Sequence, residues 1–133
     1  MRSIWLLAAL VFMLGQFGIS IAEAQAKPKK LNPYTGNPEA IKEGQKLYAL
    51  YDCYLCHNNG GGGRMGPSII DDEWTHGSDD ETLRRLIRGE IPDQIMDDPR
   101  YNVPGKVMTD DELWKILAYI RSMYGGDPSR IDW

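Results

Sequence analysis

Cys53 and Cys56 are the only cysteines in the chain, and His57, one of its two histidines, follows them directly in the run CYLCH. Two thiols one helical turn apart can add to two vinyl groups on one edge of a porphyrin. The next residue then aims an imidazole at the iron from below the ring. Cys-x-x-Cys-His is for this reason the attachment signature of c-type heme. Three other chemistries use the same residue types. A disulfide between these cysteines closes too small a loop to constrain the unfolded chain much. A thioredoxin-like redox pair needs a strand–helix–strand setting, and nothing around CYLCH has that pattern. A zinc site would recruit His76 beside Cys53, Cys56 and His57 as four nitrogen and sulfur ligands. Covalent heme is the reading that the spacing favours.

The N-terminus sets the compartment. Arg2 precedes an unbroken apolar run, IWLLAALVFML, and small residues follow in the A-x-A pattern at Ala22/Ala24 and Ala24/Ala26. That combination reads as a signal peptide over residues 1–26, and so as export, to a bacterial periplasm. The run is shorter than the roughly 20 apolar residues that span a bilayer. A retained anchor is the other reading, since GQFGISI extends the run. Cleavage after Ala26 removes one charge of each sign and leaves the net charge at -4. A mildly acidic domain of this kind is a poor partner for nucleic acid or an anionic membrane surface. The mature chain is one small domain, and a core of this size commonly needs a disulfide, metal or cofactor to complete it.

Helices must position the cluster. After an extended arm (27–36), Asn37-Pro38 offers an N-cap and a proline at the first helical position, predicting a helix over about 38–51 that delivers the chain to Cys53. Gly44 in its middle costs about 1 kcal/mol against alanine unless another helix crosses there. Ser78-Asp-Asp-Glu reads as a capping box opening a second helix, with Leu83, Leu86 and Ile87 on one face and Gly89 as its stop. Thr109-Asp-Asp-Glu opens a third, in which Leu113, Ile116, Leu117 and Ile120 recur at helical spacing to about Tyr124. No segment alternates as a strand. The fold class is all-α, with a principal domain over 37–126 and a C-terminal tail over 127–133.

The mature chain resembles a class I monohaem cytochrome c. The likeness is carried by the helix with its internal glycine before CYLCH, by the GPSI turn soon after, and by MTDDELWKILAYIRSMY as a last helix. It implies three to five helices wrapped around one covalently attached heme, with the first and last helices crossing so that Gly44 lies opposite the region of Trp114, Tyr119 and Ile120. It also implies that His57 is the proximal iron ligand and that the carbonyl of Pro67, in the GPSI turn, orients its ring.

The sixth ligand stays open among several residues. Met65 follows His57 too closely, and Met123 ends the last helix. Met96 and Met108 both lie on the loop that crosses the opposite heme face in this family. Met108 stands where the family has an apolar residue opening the last helix, so it reads as a hydrophobic staple against Leu113. Met96, in GEIPDQIMDDPRYNVPGKVMT, is the favoured distal ligand; Met108 is the alternative and His76 a third. Trp74 is a candidate propionate donor or a core residue. Arg64 is a candidate propionate partner or a solvated side chain. The glycines at 60–63 read as a mobile loop near the heme edge.

The function implied is one-electron transfer by a monomer, without catalysis, a small-molecule substrate or nucleic acid. GPSIIDDEWTHGSDD and the tail AYIRSMYGGDPSRIDW are similar to cytochromes that accept electrons from quinoprotein (PQQ) alcohol dehydrogenases, including methanol dehydrogenase. Electrons would pass on to another cytochrome or a terminal oxidase. Acidic runs at 71–73, 79–81, 97–98 and 110–112 can steer a basic partner, and two of them also suit helix N-termini. Two alternatives differ in class. A vacant sixth position would make a gas- or peroxide-binding protein. A cytochrome subunit docked permanently on a larger oxidoreductase would use the arm at 27–34 and the tail at 127–133 as tethers.

Overall fold

The computed structural model describes residues 31–62, 64–96, 98 and 107–132. The expected signal peptide, the start of the arm, residues 99–106 of the loop after Met96, and Trp133 lie outside them. Among the described residues four α-helices follow in order: α1 Pro38–Leu50, α2 Cys53–His57, α3 Asp80–Ile87 and α4 Asp110–Ser122. A 3-10 turn, Pro128–Arg130, closes the chain, and there is no strand among the described residues. The all-α expectation holds.

The helix starts are set by local chemistry. Asn37 accepts the Ala40 amide through its side chain, with Pro38 at the first position of α1. Thr109 and Glu112 form the reciprocal box expected for α4: the Thr109 hydroxyl accepts the Glu112 amide at 3.2 Å, and the Glu112 carboxylate accepts the Thr109 amide at 2.7 Å. The start of α3 differs from expectation. Its cap is Asp79, which accepts the Thr82 amide at 2.9 Å, and not Ser78. The Ser78 hydroxyl serves the tail instead, accepting the Asp132 amide at 2.7 Å.

The core is built where α1 lies on α4. Leu47 and Tyr48 meet Met108, Leu113, Trp114, Ile116, Leu117 and Ile120, with Leu113, Ile116 and Leu117 almost fully buried. Each such side chain stabilises the fold by about 1.5–3 kcal/mol through removal of apolar surface from water. Gly44 makes the approach possible, because a Cβ there would sit 2.0 Å from the Lys115 carbonyl oxygen. Its nearest neighbours are backbone atoms of Lys115 and Ile116, within the stretch from Trp114 to Ile120. The aromatic pairing falls one turn further on, where Tyr48 and Tyr119 meet edge-on at 5.6 Å.

A polar network fastens the loop before α3 and the start of α3 to α4 and to the described parts of the arm and the tail. Arg121 pairs with Asp80 at 2.6 Å, both side chains being 5% exposed. Asn32 donates to Asp80 at 2.8 Å and to the Trp114 carbonyl at 3.0 Å. Removing one partner of a buried ion pair typically costs about 3–5 kcal/mol, because the other charge is left desolvated. Ile131 is buried, so the tail folds back on the domain, and the described part of the arm does the same through Asn32. No helix among the described residues is long and apolar enough to cross a membrane.

Asp72 is the tail's main anchor. It accepts the Tyr124 hydroxyl, the Asp127 amide at 2.9 Å and Arg130 Nη1 at 3.0 Å. These partners, Tyr124 first, hold its carboxyl below the usual carboxylate range. A carboxyl lowered by folding contributes stability above its unfolded pKa and loses it as pH falls through the folded value. The stability gap between the wild type and Asp72→Asn, read by denaturant unfolding, is therefore expected to be widest at neutral pH. It should close as acid protonates Asp72; a gap independent of pH would refute this anchoring.

Candidate heme site

The CYLCH segment is a separate five-residue helix, not a continuation of α1. Asp52 before it occupies the left-handed helical region, with φ of 59°, and Asn58 after it also has a positive φ, of 49°. Asp and Asn tolerate that region better than most residues because their short side chains bond locally. Asn58 does so: it donates to the Gly62 carbonyl and accepts from Arg64 Nε at 2.8 Å. The chain thus turns between α1 and α2, and Tyr48 of α1 secures the far end by donating to the Asn58 carbonyl at 2.9 Å.

His57 is fixed from several directions. Its Nδ1 lies 2.8 Å from the Pro67 carbonyl oxygen. A carbonyl only accepts, so Nδ1 carries the proton and Nε2 keeps its lone pair for a metal. Gly66 lies flat against the ring, since a Cβ there would fall 2.5 Å from Cε1 and 2.6 Å from Nδ1. The His57 carbonyl accepts the amides of Gly60 at 2.9 Å and Gly62 at 3.1 Å. Gly60 and Gly62 are buried and have positive φ. The expected mobile loop is instead, at these two residues, a packed turn beneath His57, because its amides have the His57 carbonyl to satisfy and Ile70 and Ser68 lie against it.

Cys53 and Cys56 are not joined to each other. Burial pushes the Cys53 thiol up to about 11. Among the described residues, no three His, Cys, Asp or Glu side chains are grouped to hold a metal. His76 is bonded to Asp93 instead, at 2.8 Å.

The other expected residues separate clearly. Met96 is half-buried, and its amide donates to Asp93 Oδ1 at 2.9 Å. Met108 is 4% exposed and shares the core cluster with Leu113. Met65 is 52% exposed, and Met123 packs toward Gly60. Arg64 is exposed and tied to Asn58. Trp74 packs beneath the Arg121 guanidinium, 5.1 Å from its ring centroid, and beside Tyr124. Its indole N–H is buried and has no hydrogen-bond partner among the described residues. Of the acidic runs, Asp79 and Asp80 are buried and engaged, and so are withdrawn from any steering role.

These features suit a covalently held heme. The donor set is a thiol pair one helical turn apart, followed by an imidazole whose Nε2 is left with its lone pair. The orphaned Trp74 N–H is a donor of the kind that a carboxylate satisfies. Tyr54, Leu55, Met65 and Ile95, neighbours in sequence of the cysteines, His57 and Met96, are 41–52% exposed, apolar surface that a flat hydrophobic ligand would cover. Asn58, Gly66 and Asp93 were not singled out in the sequence. Each acts through a partner several residues away, and only the glycine before Pro67 gave a local signal, as a turn.

The cytochrome c family model matches residues 41–124. Cytochrome c-L of Methylorubrum extorquens is 29% identical over 104 residues, covering 77% of this chain and 49% of that protein. The Cbb3-type cytochrome c oxidase subunit CcoP of Rhodobacter capsulatus is 39% identical over 64 residues, 46% of this chain and 21% of the subunit. The chain thus spans about half the length of the first of these relatives and much less of the second. The crystal structure of cytochrome CL from Methylophaga aminisulfidivorans superposes with a TM-score of 0.64 at 30% identity, covering 77% of this chain and 68% of that one. Proteins of this family carry covalently bound heme c with its iron, and heme c is the cofactor here. A match that runs from within α1 to just beyond α4, over a fold and a histidine arranged for that cofactor, places the chain in the cytochrome c family.

Proposed function

We propose that this chain is a periplasmic one-electron carrier, exported by its N-terminal signal peptide. In this reading it accepts electrons from a quinoprotein alcohol dehydrogenase of the methanol-oxidising kind and passes them to another cytochrome or a terminal oxidase. Similarity in both sequence and structure to cytochrome c-L is the observation that carries the choice of donor. The chain is a carrier and not an enzyme, like the cytochromes c it matches.

Cys53 and Cys56 would hold the heme through thioethers, and His57 and Met96 would be the residues that bind its iron. Pro67 fixes the His57 ring through its carbonyl. Trp74 would offer its orphaned N–H to a heme propionate, and Arg64 would be a second partner for one. When bound, the heme supplies a reversible one-electron couple whose potential its axial ligands tune. The protein's own part is to exclude solvent from the iron, to hold both axial groups in place, and to present one edge for short encounters with partners.

A second reading, a cytochrome subunit fixed to a larger oxidoreductase, has the match to CcoP in its favour. The proposed tethers weigh against it, since the described part of the arm and the tail are bonded to their own domain. Two measurements test the carrier reading on protein exported from cells with a heme c maturation system. Oxidised and reduced spectra should be those of low-spin c-type heme with the iron–methionine charge-transfer band. Rapid mixing with a substrate-reduced quinoprotein alcohol dehydrogenase should reduce it within a turnover. Reduction by that enzyme no faster than by an unrelated donor would end the assignment of partner.

A further inference from the structure

The turn that carries Met96 closes on a single side chain. Asp93 Oδ1 accepts the amides of Ile95 and Met96, each at 2.9 Å. Its second oxygen, Oδ2, meets His76 Nε2 at 2.8 Å. His76 comes from the loop before α3, 17 residues earlier. That loop is itself tied to α4, since Arg121 donates to the Ser78 carbonyl at its end and pairs with Asp80, the first residue of α3. The two side chains are 23% and 24% exposed, so the bond is partly sheltered from competing water.

We propose that His76 and Asp93 are positioning residues for the sixth iron ligand. Asp93 shapes the turn, and His76 ties that turn to the anchored loop, so that the Met96 sulfur is held against displacement. The proposal rests on Met96 being the distal ligand. A thioether is a weak ligand and competes with any stronger donor that enters. The fraction of molecules with the turn open sets how well such a donor binds. Removing one hydrogen bond to a charged carboxylate should raise that fraction about tenfold.

Imidazole is the probe. The holoprotein is titrated with it, and loss of the iron–methionine charge-transfer band is followed in His76→Ala, Asp93→Ala, His76→Gln, Asp72→Asn and Met96→Ala. His76→Ala is expected to bind imidazole about tenfold more tightly than wild type, and Asp93→Ala more tightly still. His76→Gln, whose amide can donate to the same carboxylate oxygen, should stay within about twofold of wild type. Asp72→Asn loosens the tail without touching the turn, and it should leave imidazole affinity unchanged. Should His76→Ala fail to load heme, Asp93→Ala against His76→Gln carries the same comparison. Wild-type affinity in both alanine variants would overturn the proposal, as would an equal rise in Asp72→Asn. A band that survives Met96→Ala would sink the ligand assignment beneath it, a separate and recognisable failure.

Discussion

Gly44→Ala is expected to lower the stability of the holoprotein by about 2–3 kcal/mol, and Gly44→Val by more. The reason is geometric. A Cβ at Gly44 would stand 2.0 Å from the Lys115 carbonyl oxygen, 2.6 Å from its carbon and 3.1 Å from the Ile116 nitrogen. All three are backbone atoms of α4, so no side chain can swing aside, and one helix must move away from the other. Alanine favours a helix by about 1 kcal/mol over glycine, which makes the test sharp, because a solvated Gly44 would give a more stable variant. The clash must outweigh that gain. Moving α1 would also drag Tyr48 from the Asn58 carbonyl and disturb the end of the CYLCH helix, so heme loading should fall as well. Thermal unfolding should show a midpoint roughly 10–20 °C lower. Gly61→Ala is the control, since nothing lies within 4 Å of a Cβ there, and it should stay within about 0.5 kcal/mol of wild type. A Gly44→Ala protein as stable as wild type would mean that α1 and α4 do not approach as described.

Much of this architecture could be read from the chain because its causes are local. The CYLCH spacing is imposed by the cofactor's own dimensions, so it survives in the sequence whatever surrounds it. The Thr109 box is complete within four residues, and the structure contains both of its bonds. Gly44 was legible as a crossing because a glycine inside an amphipathic helix needs a reason. What failed to appear in the sequence has its cause far along the chain. Ser78 looked like the cap of α3, but its hydroxyl is taken by Asp132, 54 residues away, and Asp79 caps instead. Gly60 and Gly62 looked like open loop because their partner, the His57 carbonyl, is a backbone atom that every residue has. The acidic runs looked like surface charge because no local rule shows that Asp80 would meet Arg121, 41 residues on. His76 and Asp93 gave no pattern at all, since their pairing depends on how two irregular loops pass each other.

The two methionines of the loop before α4 are expected to separate completely when each is replaced. Met108 is 4% exposed, and as the residue before the Thr109 cap it shares the core with Leu113, four positions into α4. Met108→Ala should therefore cost about 2–5 kcal/mol through lost burial and the cavity left behind. It should leave the iron–methionine band and the reduction potential near their wild-type values. Met96 is half-buried, on a turn that Asp93 closes through backbone amides, which persist when the side chain is cut back. Met96→Ala should thus cost less stability yet abolish the band. Its potential should fall by on the order of 0.1 V, within the roughly 0.8 V range that axial ligands command, because a soft thioether favours reduced iron. The vacated position should then bind carbon monoxide or imidazole far more tightly than wild type does, because no thioether competes for the iron. The reverse result, a band lost in Met108→Ala and kept in Met96→Ala, would move the ligand into what is now the core and break the staple. A band kept by both variants would exclude this pair. A wild-type spectrum that is already high-spin would leave the iron with an open position, and the gas- or peroxide-binding reading would displace the carrier.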